Sequence, residues 1–320
     1  MMTVEKAAVD SNRVEHEQTK NLIDHLVSGD ALVLNKTKVI PARLIGSLKT
    51  GAKVEVLLLS RLPGDMEKWS VMSKSSNKCH PGTVVTFGEG FEGLFEERLE
   101  NGQRVVSFES TGEQFRSKLD EFGRVPLPPY IKREPTAKDV DDYQSVFAER
   151  EGSVAAPTAS LHLSEEMLQA IAQKGVHLVK VVLHVGAGTF APVKTEEIED
   201  HPMHKEWYEL SESASSTLNE VKKQGKKIFC VGTTSARVLE TVHQKEAGFT
   251  ASKGETGIFI YPGYQWKAVD GLLTNYHWPK STLFMLVCSL LGVTKTQNIY
   301  KQAIENSYRL FSYGDSLLIY

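Results

Sequence analysis

The stretch Val179–Val193, read as VKVVLHVGAGTFAPV, limits the possible folds more than any other. Its apolar residues are too dense for a surface loop, and they break into Gly186-Ala187-Gly188-Thr189 with Pro192 close behind. Such a run predicts a buried strand over 176–185. Open α/β sheets place ligands where a buried strand empties into a glycine turn, because backbone amides can approach a bound group closely there. A small-molecule site is expected at this turn.

The surroundings fit that requirement. After Ser153, helix signals alternate with strand signals: a helix over 165–174 capped by Ser164, one over 211–224, a strand over 227–231 and a helix over 234–243. A strand over 258–261, helices from Ser281 and over 296–306, and a last strand over 316–320 complete the pattern. The alternation predicts a mostly parallel sheet covered on both faces. Before it, 14–27 has a helical apolar face, 31–34 reads as a short strand, and 35–43 as a polar loop.

Between Lys53 and Phe108 the helix signals vanish. KVEVLLLS, KWSVMSK, TVVTF and QRVVSF follow one another between glycine and proline breaks, the pattern of a small antiparallel barrel or sandwich. The expected architecture is therefore a mixed-sheet α/β domain, residues 1–46 plus 112–320, with a small antiparallel β-barrel domain inserted at 47–111. A helix over 113–122 leads into GRVPLPPYIKR, where closely spaced prolines hold the backbone extended between basic ends.

Composition excludes several classes of function. With 37 Lys and Arg against 40 Asp and Glu, the net charge of -3 offers no global field for a polyanion, so a nucleic acid would need a local basic patch. Cys79, Cys230 and Cys288 form no CxxC pair, which argues against a disulfide framework or a thiolate zinc site and for a reducing cytoplasm. The N-terminal residues contain no apolar signal-peptide segment, and the longest apolar run, 283–291, falls well short of the roughly 20 residues that span a bilayer.

Four groups of residues carry candidate chemistry. VVLHVGAGTF invites the reading of a methyltransferase or dinucleotide turn, but Phe190 stands where a third glycine is expected and the first helix start is Thr195; a tight turn without ligand is the alternative. His201-Pro202-Met203-His204-Lys205-Glu206, with His162, His184 and His277 elsewhere, can supply an acid or base or form a satisfied polar cluster; a metal site would lack an HExxH or cysteine partner. Val231-Gly232-Thr233-Thr234-Ser235-Ala236-Arg237 puts hydroxyls at a helix start, either to bind a carboxylate or phosphate or simply to cap the helix. Among the basic clusters, Arg124, Lys132 and Arg133 with Tyr130 offer cations beside an aromatic platform for nucleic acid, and Lys36, Lys38 and Arg43 form another; the lysines at 222–227 read as a solvated face.

Read together, LVLNKTKVIPARL, GRVPLPPYIKR, YQSVFAEREGSVAAPTASLHLSEEML, HVGAGTFAPV, HPMHKEW, VGTTSARVLE, IFIYPGYQWKAVDGLLTNYHWPKSTLFMLV and YRLFSYGDSLLI resemble the S-adenosylmethionine:tRNA ribosyltransferase-isomerase (QueA) family of the queuosine pathway. The motifs occur in family order over nearly the whole chain. The resemblance implies transfer of the ribosyl moiety of S-adenosylmethionine to 7-aminomethyl-7-deazaguanine at the tRNA wobble position, giving epoxyqueuosine, adenine and methionine. It implies an α/β domain with an inserted β-barrel, S-adenosylmethionine as co-substrate and no metal. On this reading His184, His204 and Glu206 supply acid-base function; Gly186, Gly188, Thr189, Thr233, Thr234, Ser235 and Arg237 contact the co-substrate; and Arg43, Arg124, Tyr130, Lys132 and Arg133 contact tRNA. A monomeric cytoplasmic enzyme with no membrane partner is expected.

Departures from the family pattern accompany the resemblance. Relatives carry a longer N-terminal segment, an Asn-Asp-Thr-Arg-Val run where this chain has Asn35-Lys36-Thr37-Lys38-Val39, and a Gly and a Phe where it has Ser160 and Leu163. They leave a catalytically impaired paralogue that still binds tRNA or S-adenosylmethionine, and a methyltransferase, as alternative readings.

Overall fold

The computed structural model describes residues 1–6, 13–74, 78–99, 102–128, 130–186, 193 and 195–320. Packing divides the chain into two units: Met1–Lys38, Gln144–Arg150 and Ala156–Tyr320 form the first, and Val39–Tyr143 with Glu151–Ala155 the second. The fold is mixed α/β with a closed antiparallel barrel, as expected from the sequence.

A nine-stranded mixed sheet organises the first unit. Four strands at its centre, His177–Leu183, Ala31–Asn35, Ile228–Val231 and Gly271–Asn275, lie side by side and parallel. All five residues of Ala31–Asn35 are buried, as the apolar run ALVL requires of a strand covered on both faces. Ala31–Asn35 has His177–Leu183 on one side and Ile228–Val231 on the other, so the later chain winds out in both directions from it. Open α/β sheets bind ligands at the carboxyl ends of strands where the order reverses in this way.

Apolar packing fills both faces. On one side Leu32, Leu34, Phe229, Leu273 and Leu318 pack against Leu163, Leu168 and Ile171; on the other Leu317 and Ile319 pack with Val287, Ile299 and Tyr300. Consecutive residues of Ser316–Ile319 thus point to opposite faces, the two-residue period of a strand. Burying each of these large side chains contributes on the order of 1.5–3 kcal/mol. Three helices start on serine caps: Ser164 Oγ accepts from Met167 N, Ser211 Oγ from Ala214 N and Ser281 Oγ from Phe284 N.

In the second unit, Arg43–Ser47, Lys53–Arg61, Glu67–Lys74, Arg104–Phe108, Phe91–Arg98 and Val84–Gly88 follow one another as antiparallel neighbours. A Ser47–Thr86 pairing closes the barrel. Gly46 sits at that closure, where a Cβ would lie 2.7 Å from Val85, Thr86 and Phe87, so no larger residue fits without displacement. Phe91 and Phe108 stack inside at 5.2 Å, with Phe115 of helix Gly112–Phe122 edge-on to both. The two-residue strand Gly123–Arg124 adds to the barrel beside Arg43–Leu44.

Several local expectations need correction. Residues 14–27 form a strand at Glu15–His16 and a 3-10 helix at Thr19–His25 rather than one helix, and 35–43 contains the strand Thr37–Val39. Residues 258–261 are not a strand; Ser252–Thr256 and Gly271–Asn275 are, and Glu206–Leu210 is a strand where no element is expected from the sequence. No helix begins at Thr195, and the next regular element after His177–Leu183 among the described residues is Glu206–Leu210, antiparallel to it. At Glu15–His16, Thr37–Val39 and Glu206–Leu210 sheet pairing overrides a local pattern too short to decide between states.

Candidate active site

Asn35 ends the central strand and ties it to Leu183. Its Nδ2 donates to Leu183 O and its Oδ1 accepts from the N–H groups of Leu183 and Thr37, all at 3.0–3.2 Å. The side chain extends the ladder past the point where the backbones diverge. Thr37 is thereby fixed so that its Oγ1 meets His184 Nδ1 at 2.8 Å. The His184 ring stacks on Trp207 at 5.0 Å, and the His184 backbone N–H donates to Trp207 O. Burial, with the nearby Arg150 cation adding to it, pushes the imidazole down to about 4, so His184 is neutral at pH 7. Thr37 orients the ring and leaves Nε2 on its far edge.

Glu206 stands one position before Trp207 and is 6% exposed. Its Oε1 accepts from Gly186 N at 3.0 Å, and its Oε2 pairs with Arg237 Nη1. The carboxylate therefore ties the end of the apolar strand to the helix Gly232–Val242. Arg237 is 5% exposed, and its Nη2 is enclosed without a hydrogen-bond acceptor. Both side chains line an open cleft of about 460 Å³, counting space shared with solvent, together with His201, His204, Ile258 and Leu283. His204 is exposed there and His201 is half-buried, its ring edge-on to Phe259. Among the described residues no cluster of three or more His, Cys, Asp or Glu is placed to hold a metal.

The strand Ile228–Val231 passes directly into the helix Gly232–Val242, with Gly232 at φ +84° making the turn. A strand–glycine–helix junction therefore exists in this chain at Val231–Gly232. Thr233 and Thr234 are buried, and neither caps the helix. Among the described residues Thr234 Oγ1 has no hydrogen-bond partner, while Ser235 Oγ turns back to Val231 O. Free helix N–H groups and an unsatisfied hydroxyl at a strand's carboxyl end are an anion-binding arrangement. Ser160 is fully buried in the 3-10 helix Thr158–His162, again with an unpartnered hydroxyl. His162 Nε2 meets Asn275 Nδ2 at 3.0 Å. Gly188 and Thr189 lie outside the described residues.

The basic residues of the second unit have partners that sequence reading missed. Arg43 reaches Glu55 at 3.0 Å and Glu134 at 2.9 Å, Arg124 reaches Glu134 at 3.2 Å, and Arg133 grips the buried Asp139 through both terminal nitrogens. Lys132 is exposed and Tyr130 half-buried. In the first unit, Lys36 shares Glu149 with Lys180, so a carboxylate meets the basic residue that replaces the family's acid.

An α/β unit with its polar groups gathered at a sheet reversal, joined in one chain to a closed barrel, defines a class of ligand-binding α/β proteins. Within that class the sequence is decisive. The family model described as "Queuosine biosynthesis protein" matches residues 1–319, and the chain belongs to that family. It is also similar to a solved structure, the S-adenosylmethionine tRNA ribosyltransferase from Thermotoga maritima, at 31% identity over 100% of this chain and 91% of that one, with a TM-score of 0.53.

Proposed function

We propose that this chain transfers and isomerises the ribosyl moiety of S-adenosylmethionine onto 7-aminomethyl-7-deazaguanine at the tRNA wobble position, forming epoxyqueuosine and releasing adenine and methionine. The match to the queuosine biosynthesis family over residues 1–319 carries the reading. S-adenosylmethionine and tRNA are its two substrates, and the enzyme works as a cytoplasmic monomer. The first unit holds the chemistry, and the second supplies RNA contacts through Arg43, Arg124, Tyr130, Lys132 and Arg133.

The reaction needs a group to take a proton from the carbon beside the sulfonium and a donor to help adenine leave. His184 is neutral, oriented by Thr37, and has no partner for Nε2 among the described residues, which suits it to either task. His204 has no hydrogen-bond partner among the described residues and faces the cleft, where it is the second acid-base group. Glu206 has each carboxylate oxygen engaged, so its part is to position Gly186 and Arg237. Thr233, Thr234, Ser235, Arg237 and Gly186 surround the S-adenosylmethionine, whose methionine carboxylate suits the helix N-terminus; Gly188 and Thr189, outside the described residues, are assigned to the same contact from the sequence alone.

The test is adenine release from S-adenosylmethionine, measured with and without tRNA bearing 7-aminomethyl-7-deazaguanine. Adenine and methionine should appear only with that tRNA. S-adenosylhomocysteine as the product, or no adenine above background, would overturn the assignment.

A further inference from the structure

Arg43 and Arg124 face each other directly across the antiparallel pairing of Arg43–Ser47 with Gly123–Arg124. Two cations in direct cross-strand register repel and destabilise a sheet. The structure relieves that repulsion with Glu134. Its Oε2 accepts from Arg43 Nη1 at 2.9 Å and from Arg124 Nη1 at 3.2 Å, while Oε1 accepts from Arg43 Nη2 at 3.3 Å. One anionic oxygen thus bridges two guanidinium groups. Those interactions, Arg43 first, hold the Glu134 carboxyl below the usual carboxylate range.

The arginines and the glutamate differ in how firmly they are held. The Arg43 side chain is 18% exposed and has a second anchor at Glu55, 3.0 Å away, which in turn contacts Lys74 at 2.8 Å. The Glu134 side chain is 64% exposed, and among the described residues only the two arginines contact its carboxylate. It sits just after the Lys132-Arg133 end of the proline loop, and Arg133 is itself committed to Asp139. The guanidinium fork accepts a phosphate as readily as a carboxylate. An exposed glutamate in solvent contributes little net stability to such a pair, so an RNA phosphate can displace it.

We infer that Glu134 is an intramolecular stand-in for a phosphodiester: it keeps the Arg43–Arg124 pair preorganised and partly neutralised, and swings out when an RNA backbone phosphate takes its place. The inference rests on the RNA reading above and deepens it. The consequence is selectivity, because a polyanion must outcompete a tethered carboxylate before it gains this site.

The test is a fluorescence-anisotropy titration of the full chain with labelled tRNA transcript across a range of salt concentrations. Glu134→Gln should bind on the order of 3- to 10-fold more tightly at low salt, the scale of a surface ion pair, with a steeper salt dependence. Glu97→Gln, which removes the same charge at an exposed barrel position, should not. Adding Arg124→Ala to Glu134→Gln should abolish the gain, with thermal unfolding of each variant showing that it is folded. Wild-type binding with no gain in Glu134→Gln, or an equal gain in Glu97→Gln, overturns the stand-in and leaves the RNA reading intact. No binding by the wild type or any variant overturns both.

Discussion

At the residue scale the site is defined by groups that are committed to one another. Glu206 attracts attention in the sequence as a carboxylate beside two histidines, yet its oxygens are occupied by Gly186 N–H and Arg237. An ion pair at 6% and 5% exposure is costly to break on one side only. Arg237→Met should destabilise the fold by about 3–5 kcal/mol in urea unfolding, because Glu206 is left charged and buried, and adding Glu206→Leu should recover part of the loss. A single-variant loss below about 1 kcal/mol would show that the pair is solvated and not a structural tie. The sequence motifs marked His184 and Arg237 as candidates. They carried no sign of Thr37 as the His184 partner or of Asn35 as the clamp between strands, because those roles depend on side chains that meet 147 and 148 residues apart.

At the element scale, the clearest sequence signals were those with local physical causes. Ser164, Ser211 and Ser281 each satisfy an amide at the start of a helix, and the apolar runs of the barrel strands are short and bounded by turns. Two barrel strands, Arg43–Ser47 and Phe91–Arg98, escaped notice, since RLIGS is weakly apolar and FEGLFEER alternates around a glycine and several acids. Gly46 shows why a glycine lies in such a strand: the barrel closes over it. Gly46→Ala should lower barrel stability by about 1–3 kcal/mol through overpacking against Val85, Thr86 and Phe87. A stability equal to wild type in chemical denaturation would mean that the closing strands separate freely.

At the scale of the whole molecule, several histidines are buried as neutral rings. His162, His184 and His277 are each pushed from 6.5 down to about 4, chiefly by burial. Their folded values lie below their unfolded ones, so the unfolded chain binds more protons between those limits. Stability should therefore fall as pH drops from about 6.5 to about 4, by on the order of 3 kcal/mol for each ring. Asp139, held low by Arg133, adds a further loss only as pH falls below its unfolded value of 3.8. Urea unfolding at pH 7 and pH 4.5 checks this, and equal midpoints would contradict the buried neutral histidines.

The sequence by itself determined the α/β class, the inserted barrel and the family, because strand and helix periods, caps and motif order are carried by neighbouring residues. Only the tertiary structure decided which glycine opens a helix, that Thr233 and Thr234 cap nothing, and that Arg43 and Arg124 share Glu134. Charge clusters in a sequence show where cations lie along the chain but not which anions they meet. Arg43 and Glu134 are 91 residues apart, and strand register, set by the packing of the barrel as a whole, determines that the Arg43–Arg124 pair stands where Glu134 can bridge it.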